Sequence, residues 1–203
     1  TRRRIGTVLL NSLNSLLQPV LNIAVSFIVV RRADEALWGA FVAVLIVVQL
    51  LLHVIAWGNK EYLLRAFSRT PAKIRTLWQT NITTRATFLL LSLPLLVLFF
   101  DQPAGALLLW VAAAFIAYSF DVVVIYHRRF LTAFFVETLS TGFVVVALLT
   151  ADALTVPYIL WAFALGATLK AMLWLLIFRD MLKGLRRLCE ARYFGHAASL
   201  FLL

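Results

Sequence analysis

Six apolar runs dominate this sequence, and their length limits what the chain can fold into. They lie at about Ile5–Val30, Leu37–Trp57, Leu77–Phe100, Ala106–Tyr126, Leu131–Thr150 and Val156–Phe178. A helix needs roughly 20 residues to cross the hydrocarbon core of a bilayer, and each run supplies that length. Short breaks such as "RRADEA", "DQPAG", "HRRF" and "TADALTVP" separate them. Lipid cannot satisfy backbone hydrogen bonds, so the spans are expected to be helical. Segments such as "FLLLSLPLLVLFF" do not alternate as barrel strands would. Of the 203 residues, 63% are hydrophobic and 14% charged. A soluble domain is nearer half apolar and a quarter charged, and could not hide this excess in its core. The expected fold class is therefore all-α and integral to a membrane: a bundle of six transmembrane helices. The first run is too long and too polar for a cleaved signal peptide, and no small-residue cleavage site follows it. The tail "YFGHAASLFLL" opens a further apolar run that is too short to span. The organisation read from this is a six-helix transmembrane unit over 1–192 and the start of a truncated seventh helix over 193–203. The chain would then be a piece of something longer.

The net charge of +10 would suit nucleic acid, but the cations fall between apolar runs and not on a polar domain. Alternate loops separate them. One side receives Arg2, Arg3, Arg4, Lys60, Arg65, Arg69, Lys73, Arg75, Arg128, Arg129, Arg179, Lys183, Arg186, Arg187 and Arg192, fifteen in all. The other receives Arg31 and Arg32, beside Asp34 and Glu35, and the acids Asp101 and Asp152. The positive-inside rule places the N-terminus and the basic loops in the cytoplasm, beside anionic lipid. In "EYLLRAFSRTPAKI", Tyr62, Leu63 and Phe67 recur at helical spacing with Arg65 and Arg69 on another side. That pattern predicts a short interfacial helix ending near Pro71. Trp38, Trp57, Trp78, Trp110 and Trp161 lie near span ends, where an interfacial aromatic belt is expected. The single cysteine, Cys189, reads as a free interfacial thiol.

Polar residues inside the spans carry the functional signal. Asn11, Asn14, Gln18 and Asn22 fall within a stripe about 80° wide on the first span. Amides are costly in hydrocarbon, so this stripe faces either neighbouring helices or a hydrated cavity. Pro19 should bend the helix there. Gln49 and His53 form a smaller pair on the second span. Arg85, Asp121, Glu137 and Lys170 are ionisable and lie about 10–15 Å from the basic loops at helical rise. Charges at such depth suggest function by default, and the alternatives are neutralising ion pairs or snorkelling. Asn81, Arg85 and Ser92 share a face of the third span, expected to meet the amide stripe and open a cationic space toward the cytoplasm. There Arg85 could clamp a phosphate with its forked donors, and Lys170 could act as a point charge. Asp121 and Glu137 are the candidates for ion coupling.

The second span ends in "AWGNKEYLLRAFSR", a basic loop follows, and "TNITTRATFLLLSLPLLVLFF" opens the third. This arrangement, with Gly39, Gly58, Leu64, Arg65 and Arg69 in place, resembles the polysaccharide flippases of the MOP superfamily, the exporters of O-antigen and exopolysaccharide lipid carriers. The resemblance covers mainly residues 5–100. It implies two six-helix lobes around a cationic lumen, of which this chain would be the N-terminal lobe, working by alternating access. It implies a polyprenyl-pyrophosphate-linked oligosaccharide as substrate, and a bacterial cytoplasmic (inner) membrane as location. The partners implied are membrane lipids, the C-terminal lobe and polysaccharide-assembly proteins. Family chains are roughly twice this length. "TRRRIGTVLLNSLNSLLQ" also lacks the arginine that some lipid-carrier flippases place in the first span, so no phosphate site is assigned there.

Two other classes compete. An intramembrane prenyltransferase needs clustered aspartates, but the acids here are single. A zinc protease needs HExxH, but His53, His127 and His196 are isolated. GxSxG and P-loop motifs are absent from the sequence. No catalytic residue, metal site or cofactor is therefore read from the sequence. A non-transporting scaffold subunit of an envelope complex stays open.

Overall fold

The computed structural model describes residues 2–56, 59–99 and 103–184. The side chains of residues 2–11, 13–15, 18 and 95–99 are outside that description. All the described secondary structure is helical: α1 (Arg2–Arg32), α2 (Glu35–Ala56), α3 (Asn59–Arg69), α4 (Ile74–Phe99), α5 (Ala104–Ser119), α6 (Asp121–Tyr126), α7 (Phe130–Thr150) and α8 (Val156–Ile177). Single turns of 3₁₀ helix precede α4 and follow α8.

Local sequence sets the ends. The Asp34 carboxylate accepts from the Leu37 N–H at 2.6 Å and caps the start of α2. Thr155 does the same for α8 through the Tyr158 N–H, with Pro157 in the first turn, where a missing N–H costs nothing. α3 stops one residue before Thr70-Pro71, as expected of the residue preceding proline. Arg32 serves a helix other than its own. Its guanidinium donates to the carbonyls of Leu148 at 2.7 Å, Leu149 at 2.5 Å and Ala151 at 2.8 Å. These are the partnerless carbonyls at the C-terminus of α7, where a cation also meets the negative end of the helix dipole.

Four described stretches are long and apolar enough to cross a membrane: Glu35–Arg69, Ala104–Tyr126, Phe130–Thr150 and Val156–Ile177. Their outer faces are apolar too. Ile46, Leu50 and Val54 on α2 are exposed, as are Phe135, Leu139 and Val146 on α7 and Leu165, Met172 and Leu176 on α8. Such faces would aggregate in water and suit lipid. This is a membrane protein.

Helices in lipid associate through close packing, because lipid tails are as apolar as leucine. α5 is the central helix and packs most closely on α8. Its Ala106, Ala113, Ala114 and Ala117 and the Ala162, Ala164 and Ala171 of α8 keep the two backbones near each other. α7 meets α8 at Gly166, where a Cβ would lie 2.5 Å from Val144 Cγ2 and 3.2 Å from the Ser140 carbonyl. Valine is stiff at χ1 in a helix, so the backbones would have to separate. Gly166→Ala is expected to lower stability by about 1–3 kcal/mol. The midpoint of unfolding as SDS is titrated into detergent micelles measures this, and an unchanged midpoint would refute the close-approach argument.

Three sequence expectations need correction. The fourth apolar run is one span, Ala104–Tyr126, as expected, but its helix is interrupted by one residue. The chain tightens at Phe120, whose N–H bonds the Ala117 carbonyl at 3.1 Å, and α6 begins at Asp121. The Ser119 carbonyl at this break is satisfied by the Trp78 indole N–H at 2.7 Å. Trp78 is accordingly buried, its ring 4.8 Å from that of Phe120. Trp110 is buried as well, between Phe41 and Phe163. Neither belongs to an interfacial belt. The third correction is confined to Tyr62: α3 forms and ends before Pro71 as expected, with Leu63 and Phe67 packed against the α6 region, but Tyr62 is exposed. Its basic residues Lys60, Arg65 and Arg69 face outward.

Candidate functional site

A cleft of about 750 Å³ opens beside the first turn of α3 and runs inward between α2, α4, α5 and α6 to the middle of α1. From Ala56 near the mouth to Leu45 deep in the α2 wall is about 17 Å at helical rise. Lys60 and Glu61 stand at the mouth, His53 and Gln49 line the α2 wall, and Asn22 closes the inner end from α1. Arg85 and Asp121 come in from α4 and α6. A smaller pocket of about 100 Å³ adjoins the inner end and shares Asn22, Gln49 and Tyr118 with the cleft. Lys170 and Glu137 line it.

Arg85 is 4% exposed. Its Nε–H donates to the Ile55 carbonyl at 3.1 Å, and its guanidinium lies 5.1 Å from the centre of the Phe115 ring. Among the described residues it makes no ion pair. The carboxylate in electrostatic reach is Asp121. The side chain is thus fixed through Nε and one ring face, which leaves the outer edge of the fork for the cleft. A carbonyl and an aromatic quadrupole offset only part of the cost of burying the charge.

Lys170 and Glu137 form an ion pair at 2.5 Å, with side chains 14% and 11% exposed. The ammonium also sits 5.4 Å from the centre of the Tyr118 ring. Lys170 lies one helical turn beyond Gly166, so the close α7–α8 approach there helps set this pair. Asp121 differs from Glu137. It is half-buried and, among the described residues, has neither an ion pair nor a side-chain hydrogen bond, although Lys170, Lys60 and Arg85 all act on it electrostatically. At the same end of the bundle Asp180 is engaged by Lys183 at 2.5 Å. That hydrogen bond and charge hold the exposed Asp180 carboxyl below the usual carboxylate range.

The structure brings seven of the sequence-derived residues to this connected space: Asn22, Gln49, His53, Arg85, Asp121, Glu137 and Lys170. Asn81 is one turn from Arg85, but its amide donates to the Asn59 side chain and supports the mouth of the cleft. The side chains of Asn11, Asn14 and Gln18 lie outside the described residues, as do Trp57, Gly58, Cys189 and the expected seventh helix at 193–203. Among the described residues the α4 helix that carries Arg85 contacts α2 and α5, and Asn22 of α1 lines the same cleft as Arg85. Sequence reasoning read Lys60 only as a loop cation and passed over Phe115 and Tyr118. Tyr118 had a readable signal, since it precedes Asp121 by three residues and so shares its side of the chain. Phe115 had none within its apolar run.

The arrangement can bind an anion. It offers a buried guanidinium edge, a cation at the mouth, and amide and imidazole groups along the wall. Among the described residues no group of three or more His, Cys, Asp or Glu is placed to hold a metal ion. Comparison with protein-family models, curated proteins and solved structures finds no match to this chain.

Proposed function

We propose that this chain is the N-terminal lobe of a MOP-type flippase. It would carry a polyprenyl-pyrophosphate-linked oligosaccharide from the cytoplasmic to the outer leaflet of a bacterial inner membrane by alternating access. In this reading α1 and α4 also cross the bilayer, which makes six spans, and the N-terminus and basic loops are cytoplasmic. One observation carries the reading: Arg85, a buried cation without a carboxylate partner, faces a cleft at the basic end of the bundle. An intramembrane charge left in this state is expensive, and an arriving anion would offset the cost. The forked guanidinium suits phosphate oxygens. A cleft of about 750 Å³ is within the range of ligand sites. Gln49, His53 and Asn22 supply hydrogen-bonding groups of the kind hydroxyl-rich sugars take.

Orientation is tested with two single cysteines, Ser68→Cys on α3 and Ala153→Cys in the α7–α8 turn, each with Cys189→Ser. Both sites are exposed. An impermeant thiol reagent added to intact spheroplasts should label position 153 and spare position 68 until the membrane is opened. The reverse pattern would turn the cleft to the outside and end the export reading. Function is tested with the protein in liposomes, following transfer of a fluorescent polyprenyl-pyrophosphate glycan between leaflets. A scaffold subunit would leave that transfer at the protein-free rate.

A further inference from the structure

Two carboxylates serve this space, and the structure separates them. Glu137 is held by Lys170 at 2.5 Å in the inner pocket. Asp121 is on the wall of the main cleft, and among the described residues no cation or donor holds it. Cations from three helices act on it: Lys60 from α3, Arg85 from α4 and Lys170 from α8, against the like charge of Glu137 from α7. Asp121 is thus a counter-charge that these cations share without a direct contact among the described residues.

We propose that Asp121 takes up a proton when an anion binds in the cleft, so that anion binding and protonation are linked. The inference rests on the reading of the cleft as an anion site and adds its regulation. An anion arriving at Arg85 and Lys60 occupies the charges that balance Asp121 and brings a like charge beside it. Both effects disfavour a second carboxylate. A proton from the buffer then joins a carboxylate oxygen, and the carboxylic acid so formed can donate a hydrogen bond to the anion. Glu137 is spared, because its own cation is bonded to it directly.

The sign follows from linkage. A complex that holds more protons than the free protein is favoured as pH falls. Affinity for the anion therefore rises with falling pH, by up to about tenfold per pH unit for one proton. The dependence flattens at low pH, where the free protein already holds the proton, and at high pH, where the complex no longer does. His53 and Glu61 also line the cleft and titrate, so each needs its own control.

The probe is methanedisulfonate, a two-headed anion whose charge does not change between pH 5 and 9. Its binding to the purified full protein in detergent is followed by calorimetry in buffers of different ionisation enthalpy, which counts protons directly. Wild type should take up close to one proton per anion near the middle of the pH dependence. Asp121→Asn should take up none, lose the pH slope and bind about tenfold more tightly at the alkaline end. His53→Gln and Glu61→Gln should keep the proton count of wild type. Binding without proton uptake by wild type overturns the inference and leaves the anion site standing. Uptake that persists in Asp121→Asn assigns the proton elsewhere and also overturns it. Failure of wild type to bind either methanedisulfonate or inorganic pyrophosphate removes the anion site and the inference with it. Should Asp121→Asn not fold, the wild-type count alone still decides whether a proton is taken up, and loss of the uptake in His53→Gln or Glu61→Gln would overturn the assignment to Asp121.

Discussion

On the proposed flippase reading, Arg85→Gln is expected to cut export about a hundredfold and leave the helical bundle folded. The glutamine amide can still donate toward the Ile55 carbonyl, so the packing between α2 and α4 keeps its hydrogen bond. What disappears is the charge, the forked donor edge and the interaction with the Phe115 ring. Loss of one member of a buried, hydrogen-bonded charge contact costs about 2–5 kcal/mol of binding, and a hundredfold lies toward the lower end of that range. Arg85→Lys should recover only part of the rate, since the ammonium keeps the point charge without the planar fork. The measurement is the initial rate of leaflet transfer in liposomes, paired with the SDS unfolding midpoint of each variant. If Arg85 is a strut that balances Asp121, the forecast inverts. Arg85→Gln would then unfold easily, and Arg85→Gln with Asp121→Asn would restore both fold and transport. Full transport by that double variant, with no cation at position 85, would eliminate the phosphate role.

The helices were largely legible, because the bilayer imposes a length and a composition on any chain that crosses it. The expected runs at Leu131–Thr150 and Val156–Phe178 agree closely with α7 and α8. The break before Asp121 was not legible. Nothing in "AAAFIAYSFDVVVIY" forbids a continuous helix, and the carbonyl freed there is satisfied by Trp78, which is 41 residues away in sequence. The same remoteness hid the burial of Trp78 and Trp110. A tryptophan near a span end is ambiguous until its neighbours are known, and Phe41, Phe120 and Phe163 are on other helices or across the break. For the site, sequence depth put Arg85, Asp121, Glu137 and Lys170 in one slab of the membrane. It could not say which cation meets which acid, since partner choice depends on how α7 and α8 rotate against each other. Gly166 fixes much of that rotation, and its role shows only once the Ser140 carbonyl and Val144 are placed beside it.

Removal of the Lys170 ammonium should be the most destabilising single change in the bundle. Lys170→Met keeps the stem over Tyr118 but leaves the Glu137 carboxylate without its partner at 2.5 Å, with Asp121 as a further like charge nearby. Breaking a buried pair from one side costs about 3–5 kcal/mol, because the surviving charge stays desolvated. Glu137→Gln should cost less. The stranded ammonium still has the Tyr118 ring and Asp121 within reach, and Asp121 lacks a partner of its own among the described residues. Lys170→Met with Glu137→Met should recover most of the loss, since a matched apolar pair carries no desolvation penalty. SDS titration of the four proteins closes a double-mutant cycle, and a coupling energy above about 2 kcal/mol is expected. Additive losses would mean that the two charges do not depend on each other, and equal single losses would mean that Asp121 cannot serve as the second acceptor. The inequality between the two single variants is therefore the more informative outcome. It reports whether the unpaired carboxylate on the cleft wall can reach the cation of the inner pocket, and so whether the two compartments are electrically one site.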